Sequence, residues 1–240
     1  MHEYFPLAVL ATIIAGVIRT SVGVGAGIAL TASLSLALDP RLTLAVMAFL
    51  QIGFGASAIG HYWRKWETSL AIRLIGWAIL GVILGTWLIS VLPLDWTRRV
   101  LGAGLAVFAA IELIRREVLI GNGGFWGSGA VAGVASGIAG STANASGAVL
   151  AIHLKRLALG YDAFMGTLSL VVMGHDIVRL ALYGTFGLLT REAFMLAALL
   201  LPFVFVGGWI GTKVRNRVPE LVLRRLVLSL VVVVGIMLLR

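Results

Sequence analysis

The chain has no cysteine, which excludes disulfides, thiolate metal centres and a cysteine nucleophile. It is also poor in charge, with Asp, Glu, Lys and Arg making up 12% of 240 residues, and it contains five prolines. So little charge, against 60% hydrophobic residues and a mean hydropathy of +1.04, describes a chain whose solvent is lipid. The alternation of apolar and polar residues that marks the strands of an outer-membrane barrel is missing. Acidic residues are the scarcer charge, ten against nineteen basic ones, for a net charge of +9. In a soluble protein that excess would suggest nucleic acid, but no basic stripe here carries interleaved aromatics. The basic residues sit in loops, as in membrane proteins that retain Lys and Arg on the cytoplasmic side. No Lys or Arg precedes the first apolar run in Met1-His2-Glu3-Tyr4, which argues against a cleaved signal peptide.

What the chain does have is a series of apolar runs. Leu70 to Leu92 and Leu221 to Leu239 come close to the ~20 residues that cross a bilayer as a helix. Full-length helices are predicted over about 42–62, 70–92 and 96–114, separated by Arg64-Lys65-Trp66-Glu67 and Pro93-Leu94-Asp95. Two runs near the start, 5–18 and 28–38, are too short to span comfortably and read as half-helices meeting at a break. After Gly121-Asn122-Gly123-Gly124 the pattern starts again. Ala15-Gly16-Val17 recurs as Ala132-Gly133-Val134, and Gly85-Thr86, Pro93 and Arg98-Arg99 recur as Gly211-Thr212, Pro219 and Arg224-Arg225. Such self-similarity marks an internal duplication.

The expected architecture is an all-α integral membrane protein of two inverted repeats, each a broken half-helix hairpin plus three transmembrane helices. Residues 1–117 form the first repeat, 118–124 a linker and 125–240 the second repeat. Charge favours the inverted sense. If each hairpin returns to its own side, the loops at 64–73, 115–116, 155–156 and 213–225 place twelve Lys and Arg on one side, against five on the other.

Two small-residue stretches interrupt the apolar runs: Ser21-Val22-Gly23-Val24-Gly25-Ala26-Gly27 and Gly140-Ser141-Thr142-Ala143-Asn144-Ala145-Ser146-Gly147. A non-helical backbone at membrane depth leaves polar groups unpaired at several kcal/mol each, so it persists only where it faces protein or a wet cavity. The half-helix that follows each break begins with free N–H donors and the positive end of its dipole, which together attract anions. We therefore read the two breaks as one anion site, with Gly23, Gly25 and Gly27 on one side and Ser141, Thr142, Asn144 and Ser146 on the other. A plainer reading, in which the small residues serve close helix packing, suits the scattered Gly53, Gly55, Gly76 and Gly81.

His175, Asp176 and Arg179 fall inside a predicted membrane helix, at spacings that put Arg179 on one face with the other two. Charges at that depth are paired or functional. Either Asp176 and Arg179 form a structural pair with His175 beside them, or Arg179 draws in an anion while His175 or Asp176 takes up a proton. Arg19 is open between a mouth charge and a residue snorkelling to the surface. Gln51 is a candidate polar contact by analogy of position with His175. His61 and His153, near helix ends, are expected at the interface, as are Trp63, Trp66, Trp96, Trp126 and Trp209.

The duplicated hairpin with its glycine-rich break, the basic loop, and Gly166-Thr167-Leu168-Ser169 together resemble the TauE/SafE sulfite exporter family. Members show a Gly-x-Gly-Gly-Gly segment followed by proline in each half. Here the first half has Gly23-Val24-Gly25-Ala26-Gly27, the second has Gly140-Ser141-Thr142-Ala143-Asn144, and neither proline is present. The resemblance implies movement of sulfite or organosulfonates across the cytoplasmic membrane, with Gly23, Gly25, Gly27, Ser141, Thr142 and Asn144 at the site. The function expected is a secondary anion transporter, an exporter in the inner membrane whose partners are a small anion and the bilayer, with no catalytic residue, metal or cofactor and no nucleic acid. An anion channel, a membrane scaffold subunit, and a hydrolase using Ser141 or Ser146 with His175 are the alternatives.

Overall fold

The computed structural model describes residues 5–21, 25–113, 128–214 and 220–239. The proposed linker 118–124, Gly23 and Trp126 lie outside them. Among the described residues there are ten helices and no strand: α1 Phe5–Ser21, α2 Ala26–Leu34, α3 Pro40–His61, α4 Thr68–Val91, α5 Leu94–Leu113, α6 Gly129–Ala143, α7 Ser146–Arg156, α8 Tyr161–Thr185, α9 Arg191–Val214 and α10 Glu220–Leu239. Of these, α3, α4, α8 and α9 are long and apolar enough to cross a membrane. By contrast α5 opens with Asp95, Arg98 and Arg99. At 1.5 Å per residue α2 and α7 are only about 14 and 16 Å long, close to half of the hydrocarbon thickness. Local chemistry sets the boundaries, as where Asp39 accepts a hydrogen bond from the Leu42 amide at 3.0 Å and Pro40 occupies the first turn of α3.

The outward faces confirm the solvent. Trp77, Leu80, Leu84 and Trp87 form an exposed apolar stripe at helical spacing on α4, and Met195, Leu199, Phe205 and Trp209 do the same on α9. Continuous apolar stripes of this extent fit a lipid-facing surface.

Inside, the helices pair across the chain. α1 lies along α9 and α6 along α4, α3 crosses α9 and α8 crosses α4, α3 meets α8, and α5 packs on α10. The first helix after each start of the pattern thus packs on the fourth helix of the other half. Glycines make these approaches close. A Cβ on Gly16 would stand 2.8 Å from the Gly207 Cα, and one on Gly85 would stand 2.9 Å from the Ser141 Cβ. With partners exchanged in this way the two halves form one interlocked bundle. Its core, which includes Ile28, Leu30, Leu44, Leu50 and Phe54, wraps the short helices, and a smaller cluster of Leu74, Leu150, Leu154 and Leu168 lies under α7.

Candidate functional site

A left-handed residue stands at each break. Gly25, at φ 93°, precedes α2, and Asn144, at φ 53°, separates α6 from α7. Glycine adopts that conformation without steric cost, and asparagine is among the few other residues that do so readily.

The second break is narrower than the sequence suggests. α6 runs on through Gly140, Ser141 and Thr142 to Ala143, and only Asn144 and Ala145 leave the helix. The hydroxyls of Ser141 and Thr142 donate within the protein. Thr142 Oγ1 donates to the Ile138 carbonyl at 2.8 Å, and Ser141 Oγ donates to the Val82 carbonyl at 3.4 Å. Bonding of a hydroxyl to the carbonyl one turn back is how such residues are accommodated in a helix.

Asn144 ties the break to both halves. Its Nδ2 donates to Thr31 Oγ1 on α2 at 2.9 Å, and its Oδ1 accepts from Arg179 Nη1 at 2.7 Å. The same Nη1 donates to the Gly140 carbonyl at 2.5 Å, while Arg179 Nη2 stands 3.1 Å from Asp176 Oδ1. Tyr183 donates to the Ser141 carbonyl at 2.6 Å. Arg179 is fully buried and acts as a cationic cap on the last carbonyls of α6, where the helix dipole is negative.

The first break meets the second at Gly27. A Cβ there would lie 2.5 Å from Gln51 Nε2 and 3.1 Å from the Asn144 carbonyl oxygen. On the other side, a Cβ on Gly140 would lie 3.2 Å from His175 Cε1 and 3.5 Å from Ser146 Oγ. α3 and α8 therefore each direct one polar side chain at the break of their own half. His175 is fully buried, and among the described residues neither ring nitrogen has a hydrogen-bond partner. Its Nδ1 stands 3.6 Å from Asp176 Oδ1. No Ser146–His175 hydrogen bond of the kind a nucleophile and its base would share is therefore formed.

Arg19 is neither at a mouth nor reaching for the surface. It is 8% exposed, sits in the field of Asp176, and faces Gly147 in the first turn of α7. His153, expected at the interface, is buried because α6 and α8 enclose α7; His61 is exposed.

The structure thus gathers Gly25, Gly27, Ser141, Thr142, Asn144, Ser146, His175, Asp176 and Arg179 into one region. It adds Thr31 and Tyr183, which the sequence reading passed over. Thr31 follows Gly27 by one helical turn and Tyr183 follows Arg179 by one, so helical periodicity outward from the marked residues is the signal that finds them. The Gly166 stretch lies apart from the breaks and anchors the basic loop. Thr167 Oγ1 accepts from the Glu67 amide at 2.9 Å, Lys65 pairs with Asp162 at 2.8 Å, and a Cβ on Gly166 would lie 3.2 Å from the Trp66 backbone nitrogen.

A multi-pass helical bundle in which two pairs of short helices converge on a buried polar cluster has the architecture of membrane transport proteins. The chain belongs to the sulfite exporter TauE/SafE family, whose model matches residues 8–238. That family consists of transporters of sulfite and related sulfur anions rather than enzymes. No curated protein and no solved structure matches the chain.

Proposed function

We propose that the protein is a secondary transporter that exports small sulfur-containing or carboxylate anions, such as sulfite and organosulfonates, across the cytoplasmic (inner) membrane. The observation that carries this reading is the contact between the breaks: Asn144 of the second half reaches Thr31 and Gly27 on α2 of the first. Two short-helix N-termini then face one region, where amides and dipoles favour negative charge without needing a full cation at each end. Gly25, Gly27 and Ser146 supply the near backbone. Ser141, Thr142, Asn144 and Arg179 hold the second break in shape.

Residues 1–117 and 125–240 are proposed as inverted repeats, joined through 118–124. The exchanged pairing of α1 with α9 and α6 with α4 supports a duplication, and the asymmetry of basic loops supports the inverted sense. Rocking of one repeat against the other would expose the site to alternate sides. His175 and Asp176, buried and short of hydrogen-bond partners, are the groups proposed to couple a proton to the anion.

Uptake of labelled sulfite, isethionate and acetate into proteoliposomes, with and without an imposed proton gradient, tests the reading. Saturable flux that responds to the gradient is expected. Flux that does not saturate would indicate a channel, and no flux of any of these anions would refute the proposal.

A further inference from the structure

α1 and α9 run side by side and approach closely where glycines meet, Gly16 against Gly207. Toward the starts of both helices a cavity of about 1120 Å³ opens between α1, the end of α2, the start of α3 and α9. That is larger than the roughly 300–1,000 Å³ of a pocket for a drug-sized ligand. Its wall is apolar, with Leu7 and Ala8 on α1, Leu38 and Leu42 beside α3, and Met195 and Leu199 on α9. Met195 and Leu199 belong to the exposed stripe of α9, so the cavity is a groove open to the lipid.

Charge is confined to the mouth. The charged residues lining the groove are Asp39, Arg191 and Glu192, placed where α3 and α9 begin. Both helices are long and apolar enough to cross a membrane, so their starts mark the membrane surface, and from Arg191 to Leu199 the groove descends about 12 Å into the apolar layer. Arg191 and Glu192 are exposed, and among the described residues neither side chain is in an ion pair. Asp39 accepts from the Leu42 amide through Oδ1, which leaves its other oxygen. Arg41 is engaged elsewhere, on the Leu92 carbonyl.

One guanidinium and two carboxylates above an apolar trough select a particular amphiphile. A phosphate pairs with the guanidinium, and carboxylates accept from a primary ammonium. A choline headgroup has no N–H to donate, and a purely anionic headgroup meets the two carboxylates as like charges. We propose that the groove holds one phospholipid of the surrounding bilayer whose headgroup is phosphoethanolamine-like, with its phosphate on Arg191, its ammonium on Asp39 and Glu192, and an acyl chain between α1 and α9. The chain then packs on the end of α2, whose other end stands at the first break. This assignment does not depend on what the protein carries.

Full-length protein in detergent, mixed with dioleoyl phosphatidylethanolamine, phosphatidylglycerol or phosphatidylcholine and weighed intact by native mass spectrometry, tests it. One ethanolamine lipid per chain should be retained in preference to the other two. Arg191→Gln should weaken its retention about tenfold or more, as loss of a hydrogen bond to a charged group does. Asp39→Asn, which keeps a good cap on α3, combined with Glu192→Gln should abolish the preference over phosphatidylglycerol. Ala37→Phe, which fills the trough, should release lipid whatever its headgroup. The mouth variants change exposed side chains and carry the test if Ala37→Phe does not fold. Equal retention of the three lipids, preference for the glycerol or choline lipid, or ethanolamine lipid held as firmly by Arg191→Gln as by wild type would overturn the assignment.

Discussion

The first half turns into its short helix at Gly25, a residue with no side chain, while the second turns at Asn144, whose amide group bonds to Thr31 on one side and Arg179 on the other. Opposite the first break α3 offers Gln51, a neutral amide; opposite the second α8 offers His175, with Asp176 and Arg179 on the same helix. Corresponding backbones therefore carry unequal chemistry. The second break has to be held, since α6 ends in carbonyls at membrane depth, which need donors beyond the amides of the turn. Arg179 and Tyr183 supply those donors. The second half contributes the fixed polar frame.

The largest expected effect comes from removing the cap of the second break. Arg179→Gln leaves the buried Asp176 without its partner, and loss of one member of a buried ion pair costs about 3–5 kcal/mol. Denaturant unfolding in detergent should show that loss, and a change near zero would mean that Asp176 is neutral and Arg179 dispensable. Asn144→Gly comes next. It keeps the left-handed turn but removes both side-chain bonds, for an expected loss of about 2–3 kcal/mol. If Asn144→Gly were harmless, the cross-link to Thr31 would carry no stability.

Gly25→Ala probes the first break in the opposite way. A Cβ at φ 93° should cost about 1–3 kcal/mol in strain, whereas Gly25→Asn should cost less because asparagine tolerates positive φ. Equal losses for the two variants would place the constraint in packing rather than in the backbone. The smallest effect on stability is expected for Gly147→Ala, within about 0.5 kcal/mol, since alanine suits a helix better than glycine and among the described residues the added methyl meets only Arg19 Nη1, in ordinary contact. Its affinity for isethionate should nevertheless fall, because the methyl adds bulk at the opening turn of α7. Unchanged affinity would move the anion away from α7.

The fold was largely legible because lipid imposes a simple code. Lengths of apolar runs fixed α3, α4 and α5 to within a few residues, and the dense small residues marked where helices stop. The extent of the second break was not legible, since Ser141 and Thr142 look like loop residues by type. They stay helical because each hydroxyl finds a carbonyl acceptor, Val82 for one and Ile138 for the other. That choice depends on where α4 runs, which sequence alone does not specify. The depth of Arg19 was ambiguous for the same reason: it ends an apolar run, a position equally suited to the surface or to a buried partner, and only the arrival of α7 and Asp176 decides between them. His153 was misjudged because proximity to a helix end implies exposure only when the helix itself reaches the surface, and α7 is enclosed.

The central claim is that breaks from separate halves build a single anion site. Calorimetric titration with isethionate of wild type, Gly27→Ala and Gly147→Ala tests it most directly. One site per chain is predicted, weakened by either substitution, since a methyl at Gly27 collides with Gln51 and one at Gly147 adds bulk at the opening turn of α7. Two independent sites, or one site indifferent to changes in either break, would contradict it.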